Sequence, residues 1–213
     1  MPGCRLTASV ATPARRPAWQ TALFALAAVV WLAGAGTGLW VVWAYDNTPG
    51  TAGKPPASLA PDGPVTLASD RPTLVLLAHP QCFCTEATLT ELEEALARAH
   101  VRPKTYVLFM KPQGFPAGWS DTRLWQRASA LPDVIVMRDD DGRKAKRLGA
   151  ETSGQIVLYD ARGALLFSGG ITGSRGHAGD NPGRDAVVKL LNNETADRRT
   201  TSVFGYPLFA TES

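Results

Sequence analysis

The sequence of 213 residues predicts an α/β fold of three layers (α/β/α) with a mixed central sheet, preceded by one N-terminal transmembrane helix. Short apolar runs rich in β-branched residues alternate with segments of helical periodicity, which indicates parallel strands joined by crossover helices. Near the end of the chain, two apolar runs are separated by a turn that contains glycine, so a hairpin makes the sheet mixed. A long uncharged stretch near the N-terminus predicts the membrane helix.

The predicted membrane segment covers residues 18–45. No charged side chain occurs from Ala18 to Ala44, and about 20 apolar residues are enough for a helix to cross a bilayer. Tryptophans lie near both ends, Trp19 on one side and Trp40 and Trp43 on the other, as is typical of membrane interfaces. The sequence therefore predicts contact with the membrane through this segment.

Charges on either side of the segment predict its orientation. Arg5, Arg15 and Arg16 precede it and Asp46 follows it, so the positive-inside rule places the N-terminus in the cytoplasm. We expect a single-pass protein of the inner (cytoplasmic) membrane with a periplasmic, or otherwise extracytoplasmic, C-terminal domain. A cleaved signal peptide, cut near residues 33–36, is the alternative interpretation, and it also exports the domain.

Composition limits the remaining possibilities. The chain has 22 basic and 19 acidic side chains, a net charge of +3 with several of the positive charges at the N-terminus, so no nucleic acid partner is expected. The predicted organisation is a cytoplasmic N-terminus (1–17), the anchor (18–45), a flexible linker rich in Pro, Gly, Ala and Ser (46–64), one globular domain (65–195) and a C-terminal tail (196–213).

Nine elements are predicted in the globular domain. In chain order they are strand Thr73–Ala78, helix Thr85–His100, strand Thr105–Met110, helix Asp121–Ala130, strand Val134–Met137, helix Arg143–Leu148, strands Gln155–Tyr159 and Ala164–Phe167, and helix Arg184–Asn192.

Two of the three cysteines, Cys82 and Cys84, fall where the first strand ends and the first helix begins. Three cysteines are too few for a disulfide-stapled scaffold, and their spacing does not match a four-ligand zinc site. A close pair indicates redox or metal chemistry, and two buried small hydrophobic residues are the structural alternative. Amides at a helix N-terminus stabilise a thiolate.

The chemistry expected of the pair is thiol–disulfide exchange, in which one thiolate attacks and the second thiol resolves the mixed disulfide. We predict that Cys82 is the more exposed and is the nucleophile, that Cys84 resolves, and that Glu86 in the first helical turn opposes thiolate formation. A disulfide across one intervening residue closes a small, strained ring and is readily reduced, which favours a donor of oxidising equivalents or an isomerase.

Two histidines are further candidates. His79 either increases thiolate character, binds a metal or faces solvent. His177 lies in the glycine-rich loop 169–183, which is either an ordinary surface loop or a lid that brings a third ligand or a proton shuttle to the cysteines. No cofactor is expected for thiol exchange. Copper is the alternative, bound by Cys82, Cys84 and His177.

The order of elements and the position of the cysteine pair resemble the thioredoxin superfamily over residues 65–195. Members of that superfamily carry a cis-proline in a loop before the hairpin, and the matching residues here, 151–154, contain no proline. The resemblance implies a thioredoxin-like fold and thiol redox behaviour.

A closer resemblance is to the RedB-type proteins, which are membrane-anchored and thioredoxin-like. It is carried by residues 79–84, 152–154, 165–172, 175–177 and 204–208. The family pattern commonly has proline where this chain has Phe83, and cysteine where it has Tyr206. The resemblance implies thiol redox activity without naming a substrate.

The first functional hypothesis is a thiol–disulfide oxidoreductase that acts on protein thiols or disulfides in the exterior compartment. The second is a copper-assembly protein. A peroxide-reducing enzyme that uses Thr73 and Arg175, and a non-catalytic adhesion or scaffold domain, are the remaining alternatives.

Overall fold

The structure is a computed structural model that describes residues 17–60 and 62–209. The third cysteine, Cys4, and the basic residues Arg5, Arg15 and Arg16, on which the predicted orientation depends, lie outside the described residues. The chain forms two compact units, one up to Ala44 and one from Tyr45 onward.

The N-terminal unit contains most of helix α1, Ala18–Asn47. This helix has a mean hydropathy of 1.9 and none of the residues in its apolar window is buried. By length and composition it can cross a membrane.

The second unit alternates strands and helices in the predicted order. Its elements are β1 (Thr73–Ala78), α2 (Phe83–Arg98), β2 (Lys104–Lys111), a short 3-10 helix (Ala117–Ser120), α3 (Arg123–Ala130), β3 (Val134–Asp140), α4 (Arg143–Arg147), β4 (Gln155–Tyr159), β5 (Leu165–Gly170) and α5 (Pro182–Leu191).

The five strands form one sheet in the order β3-β2-β1-β4-β5. Strands β1, β2 and β3 are parallel, β4 runs antiparallel to β1, and β5 runs antiparallel to β4. The predicted mixed sheet and its closing hairpin are therefore confirmed. The central position of β1 matters for the site, because all six of its residues are buried and the cysteine pair follows its C-terminal end.

The sheet separates two apolar clusters, which confirms the three-layer fold. One cluster joins α2, α3 and α5 to side chains such as Leu74 and Leu76 on one face of β1. The other joins α4 to Val75 and Leu77 on the opposite face. Alternation of β1 side chains between the two clusters follows from the pleat of a strand.

The predicted flexible linker, residues 46–64, is corrected by the structure. Gly50 donates its N–H to the carbonyl of Val203 at 2.8 Å, and Leu59 donates to that of Gly163 at 2.8 Å. Leu59 is also buried. A segment without periodicity was expected to stay extended, but its backbone and its few apolar side chains find partners on the domain.

The predicted C-terminal tail also packs on the domain as far as it is described. Val203 and Leu208 are buried, and the N–H of Leu208 donates to the carbonyl of Glu151 at 2.8 Å. We call residues 200–208 the C-terminal segment. It lies beside the loop that precedes β4 and so reaches the cysteine pair.

Candidate redox site

The cysteine pair lies at the N-terminus of α2. Cys82 is the residue that precedes the helix and has an extended backbone, so Cys84 falls in the first helical turn. Cys82 donates its N–H to the carbonyl of His79 at 3.2 Å, and its own carbonyl accepts from Thr85 at 3.0 Å. The predicted placement at a helix start is confirmed.

Ser153 fixes the turn between β1 and α2. Its side chain is buried and its hydroxyl accepts the N–H of His79 at 2.8 Å. The Thr85 hydroxyl donates to the carbonyl of His79 at 3.2 Å and lies 3.3 Å from the Ser153 hydroxyl. Ser153 in turn donates its N–H to the carbonyl of Tyr206 at 2.8 Å. This loop, where the superfamily has its cis-proline, contains no cis peptide here, nor does any other described stretch.

The prediction that Cys82 is the more exposed cysteine is wrong. Both side chains are fully buried, whereas Phe83 between them is 50% exposed. The Phe83 ring points outward, where it meets the Tyr206 ring edge-on with 6.0 Å between centroids, and it also contacts Gly176. These neighbours shield the helix start from solvent.

A surface groove of about 650 Å³ nevertheless reaches Cys82. Its walls include Phe83, Ala87 and Leu124, with Arg123 at the charged side, and of the described cysteines only Cys82 lines it. The groove therefore gives a partner a route to Cys82 that Cys84 lacks.

Hydrogen bonds give the two thiols different proton affinities. The Cys84 thiol donates to the Cys82 sulfur, and the N–H groups of Tyr206, Cys84 and Thr85 also point at it. These contacts outweigh burial and lower the pKa of Cys82 to about 6. The pKa of Cys84 is raised because it donates that hydrogen bond, is buried and lies beside the Cys82 charge, while Arg175 and the N–H of Gly176 oppose the rise. These contacts favour the thiolate on Cys82 and the proton on Cys84.

Glu86, which was expected to oppose the thiolate, is occupied by two cations. It pairs with Arg127 at 2.7 Å and with Arg123 at 3.0 Å. Its negative charge is therefore compensated within the groove wall.

His79 is held as a neutral ring. Its Nδ1 accepts the N–H of Gln81 at 3.2 Å, and its ring lies edge-on to Trp119 at 5.5 Å. Burial lowers the pKa of His79, so the charged state that would strengthen the thiolate is disfavoured at neutral pH. His79 contributes to the site through its backbone carbonyl, which accepts hydrogen bonds from the N–H of Cys82 and the hydroxyl of Thr85.

His177 is exposed, and its Nδ1 lies 2.8 Å from the carbonyl of Arg175. Across the two described stretches, no group of three or more His, Cys, Asp or Glu side chains is placed to hold a metal ion. The structure thus does not assemble the ligand set Cys82, Cys84 and His177 that the copper alternative requires.

Thr73, which the peroxidase alternative would use, lies at the start of β1, and its hydroxyl accepts the N–H of Ala68 at 3.0 Å. The cysteines follow the other end of that strand. Thr73 and the cysteines are therefore not brought together.

A buried ion pair fastens the glycine-rich loop to α2. The side chains of Glu91 and Arg184 are 3% and 5% exposed and lie 2.8 Å apart. Glu91 also accepts the N–H of Gly179 at 2.6 Å and the side-chain amide of Asn181 at 3.0 Å. The pair thereby holds the C-terminal part of the loop, which contains Gly179 and Asn181, against α2.

Four site residues carried no signal in the periodic pattern of the sequence: Ser153, Arg175, Gly176 and Tyr206. They lie in irregular segments. Gly176 and Tyr206 act through their backbone, whereas Ser153 and Arg175 act largely through their side chains. The short motifs at 152–154, 175–177 and 204–208, noted through the RedB resemblance, were the available signal for them.

The mixed sheet, the closing hairpin and the cysteine pair at the first helix define a thioredoxin-like fold. No protein-family model matches the chain, and no curated protein matches it. Two solved structures share its fold at 16% identity. A hypothetical protein from Sinorhizobium meliloti has a TM-score of 0.53, with 79% of this chain and 99% of that chain covered. An uncharacterized conserved protein from Geobacillus kaustophilus has a TM-score of 0.54, with 78% and 94% covered.

The exposed lipoprotein thioredoxin of Streptococcus pneumoniae is a more distant match. It has 15% identity and a TM-score of 0.43, with 59% of this chain and 86% of that chain covered.

Proposed function

We propose that the protein is a membrane-anchored, extracytoplasmic thiol–disulfide oxidoreductase of the RedB type that uses Cys82 and Cys84. The observation that carries the proposal is the position of the pair at the N-terminus of α2, where Cys82 precedes the helix and Cys84 lies in its first turn. Hydrogen bonding by Cys84 and three backbone amides, which lowers the pKa of Cys82 to about 6, supports it. A thiolate is the reactive form in disulfide exchange, and an adjacent thiol is needed to complete it.

In the first step the Cys82 thiolate attacks one sulfur of a partner disulfide. A bond forms between that sulfur and Cys82, the partner S–S bond breaks, and the other partner sulfur leaves as a thiolate and takes a proton. In the second step Cys84 loses its proton and attacks the Cys82 sulfur, which releases the partner as a dithiol. The pair is then oxidised, and the reverse sequence transfers a disulfide to a partner.

The direction we propose is oxidation or isomerisation of partner proteins. A disulfide between residues that are separated only by Phe83 closes a small ring, and strain raises its reduction potential. The half-exposed ring of Phe83 and the groove beside Cys82 suit an unfolded or extended partner chain that carries cysteines.

The proposed location rests on α1 and the charges around it. The helix is long and apolar enough to span a bilayer, and the basic residues precede it. Fusion of an alkaline phosphatase reporter after Ser213 tests the orientation, because the enzyme is active only when exported. Inactive fusions would contradict the extracytoplasmic assignment.

A redox titration tests the activity. The full chain with Cys4→Ser, purified in detergent, is equilibrated with glutathione mixtures, alkylated and analysed by mass spectrometry. We expect a reversible Cys82–Cys84 disulfide, and mixed disulfides that accumulate when Cys84→Ser removes the second thiol. Failure to form either species would overturn the oxidoreductase assignment, and a potential as low as that of thioredoxin would overturn the direction.

A copper titration distinguishes the copper-assembly hypothesis from thiol–disulfide exchange. The same protein is titrated with Cu(I), with His177→Ala as the variant. Tight binding that is lost in the variant would favour the copper-assembly hypothesis over thiol exchange.

A further inference from the structure

Arg175 lies in the loop between β5 and α5 and connects separate parts of the domain. Its N–H donates to the carbonyl of Asp46 at 3.0 Å, and its Nε donates to the carbonyl of Tyr45 at 3.1 Å. Its Nη1 donates to the carbonyl of Gly205 at 2.5 Å, one residue before Tyr206. The guanidinium is therefore fixed between the C-terminal end of α1 and the C-terminal segment.

The charge of Arg175 is not balanced by a carboxylate among the described residues. Its polar partners are carbonyl oxygens, and its guanidinium stacks on the ring of Tyr45 at 4.8 Å. Arg123 and Arg127, by contrast, share the carboxylate of Glu86. A cation without a counter-charge acts more strongly on a neighbouring buried thiol.

The residue after Arg175 brings the loop to Cys84. Gly176 has a φ of 69°, which favours glycine, and a side chain there would collide with the ring of Phe83. The loop thus packs on the residue between the two cysteines, and hydrogen bonding by the Gly176 backbone opposes the rise in the pKa of Cys84. The cation and this amide thus converge on the thiol that the first step of exchange does not use.

We propose that Arg175 is the positioning residue for the second step, in which Cys84 attacks the mixed disulfide on Cys82; this rests on the proposed function. In the resting pair Cys84 stays protonated because it donates to the Cys82 thiolate. Once Cys82 is bonded to a partner, that negative charge is gone, whereas Arg175 and Gly176 remain.

The Cys84 thiol gives its proton to water and its sulfur forms a bond with the Cys82 sulfur. The bond between Cys82 and the partner breaks, and the partner sulfur leaves with the electron pair. Arg175 stabilises the Cys84 thiolate that exists between the loss of the proton and the attack.

The titratable and charged groups around Cys84 come from five segments. They are His79 and Cys82 from the turn before α2, Glu86 from α2, Arg175 from the loop, Tyr206 from the C-terminal segment, and Tyr45 and Asp46 from the end of α1. Burial lowers the pKa of His79 and raises that of Tyr206, so both remain neutral at pH 7. Within this described set Arg175 is the cation left to stabilise Cys84.

The experiment uses the full chain with Cys4→Ser in detergent and an aryl disulfide that releases thionitrobenzoate. Attack by Cys82 releases one thionitrobenzoate, and attack by Cys84 on the resulting mixed disulfide releases a second. Rapid mixing at a series of pH values resolves the two phases by absorbance. Arg175→Gln removes the charge, Arg175→Lys retains it, and Arg98→Gln is the control at the far end of α2.

We expect Arg175→Gln to slow the second phase about tenfold at pH 7 and to raise its pH midpoint by about one unit, the lower end of what an adjacent opposite charge produces. The first phase should change little. In Arg175→Lys the pH midpoint of the second phase should match that of the parent protein. Arg98→Gln should change the rate of neither phase. A purely structural role would alter rates without moving the midpoint.

An unshifted midpoint in Arg175→Gln would overturn the inference while the proposed function stands. If that variant does not fold, a midpoint in Arg175→Lys clearly above that of the parent protein would overturn it instead, because the charge is still present. Absence of a second phase in the parent protein would overturn the proposed function and the inference with it.

Discussion

The ring of Phe83 meets the ring of Tyr206 edge-on, with 6.0 Å between their centroids and 78° between their planes. Phe83 is 50% exposed, whereas the cysteines on either side of it are fully buried. Tyr206 also supplies, through its N–H, one of the hydrogen bonds to the Cys82 sulfur. Phe83 and Tyr206 therefore form one aromatic contact over the helix start.

Removal of the Phe83 ring should make Cys82 more accessible. We expect Phe83→Ala to increase the rate of Cys82 alkylation by iodoacetamide about tenfold at pH 7, which corresponds to about 1.4 kcal/mol less free energy for local opening. Alkylation is followed by mass spectrometry on the full chain with Cys4→Ser.

Phe115→Ala is the matched control for this variant. Phe115 is also a half-exposed phenylalanine, 48% exposed, and its ring centroid lies 5.1 Å from that of Trp119. Its loss should not alter the alkylation rate. Equal rates in Phe83→Ala and the parent protein would show that the ring does not restrict access to the sulfur.

The Cys82 thiolate should depend on the thiol of Cys84. Because the pKa of Cys82 is lowered to about 6, its alkylation rate should fall only as the pH drops through about 6, where the thiolate is protonated. Cys84→Ala removes the largest stabilising contact, so the midpoint should rise toward the ordinary value of 9.0. At pH 7 the rate should drop about tenfold.

The Cys84→Ser variant distinguishes the effect of the hydrogen bond from the effect of the second sulfur atom. A serine hydroxyl can still donate to the Cys82 sulfur, so the midpoint in this variant should stay nearer to that of the parent protein than in Cys84→Ala. Identical midpoints in Cys84→Ala and the parent protein would contradict the shared hydrogen bond as the cause.

The local pattern of apolar residues was sufficient to predict β1 and α2, the strand and the helix between which the cysteine pair lies. The β1 boundaries, Thr73–Ala78, are those predicted, because a short apolar run that is buried on both faces leaves little ambiguity. The first helix was predicted to begin at Thr85 but begins at Phe83. Cys84 is therefore inside the first turn, where its backbone amide can contribute to the site.

What surrounds the cysteines could not be predicted from periodicity. Tyr206 and Gly205 lie in a segment without regular structure, and their contributions are a backbone N–H and a carbonyl. Backbone groups are the same in every residue, so side-chain pattern does not indicate where they are placed. The burial of Cys82 was missed for a related reason, since it depends on Gly176 and Tyr206, which are distant in sequence.

The Ser153 hydroxyl should stabilise the turn before α2. It is buried and accepts the N–H of His79 at 2.8 Å. Ser153→Ala leaves that donor without its partner, so we expect the free energy of unfolding to fall by about 1–3 kcal/mol. Urea unfolding of the full chain in detergent, followed by circular dichroism, measures the change.

Ser129→Ala on the exposed side of α3 is the control for Ser153→Ala. Its midpoint should match the parent protein within error. A Ser153→Ala variant as stable as the parent would mean that water or the Thr85 hydroxyl replaces the lost acceptor.

Removal of one partner of the buried pair Glu91 and Arg184 should cost more stability than removal of one partner of an exposed ion pair. Glu91→Gln leaves a buried guanidinium whose remaining ion pairs are with Asp180 and Asp185, both well exposed. Removing one partner of a buried pair costs about 3–5 kcal/mol, and we expect the lower end because those two carboxylates persist. The N–H of Gly179, which donates to Glu91 at 2.6 Å, should also exchange faster with deuterium.

Glu93→Gln, two residues further along α2, is the matched control, since Glu93 is 61% exposed and lies 3.9 Å from Arg127. It should change stability by less than about 1 kcal/mol and leave the exchange of Gly179 unaltered. If Glu91→Gln unfolds at the same urea concentration as this control, the ion pair does not hold the loop. The positions of Gly179 and Asn181 against α2 would then need another cause.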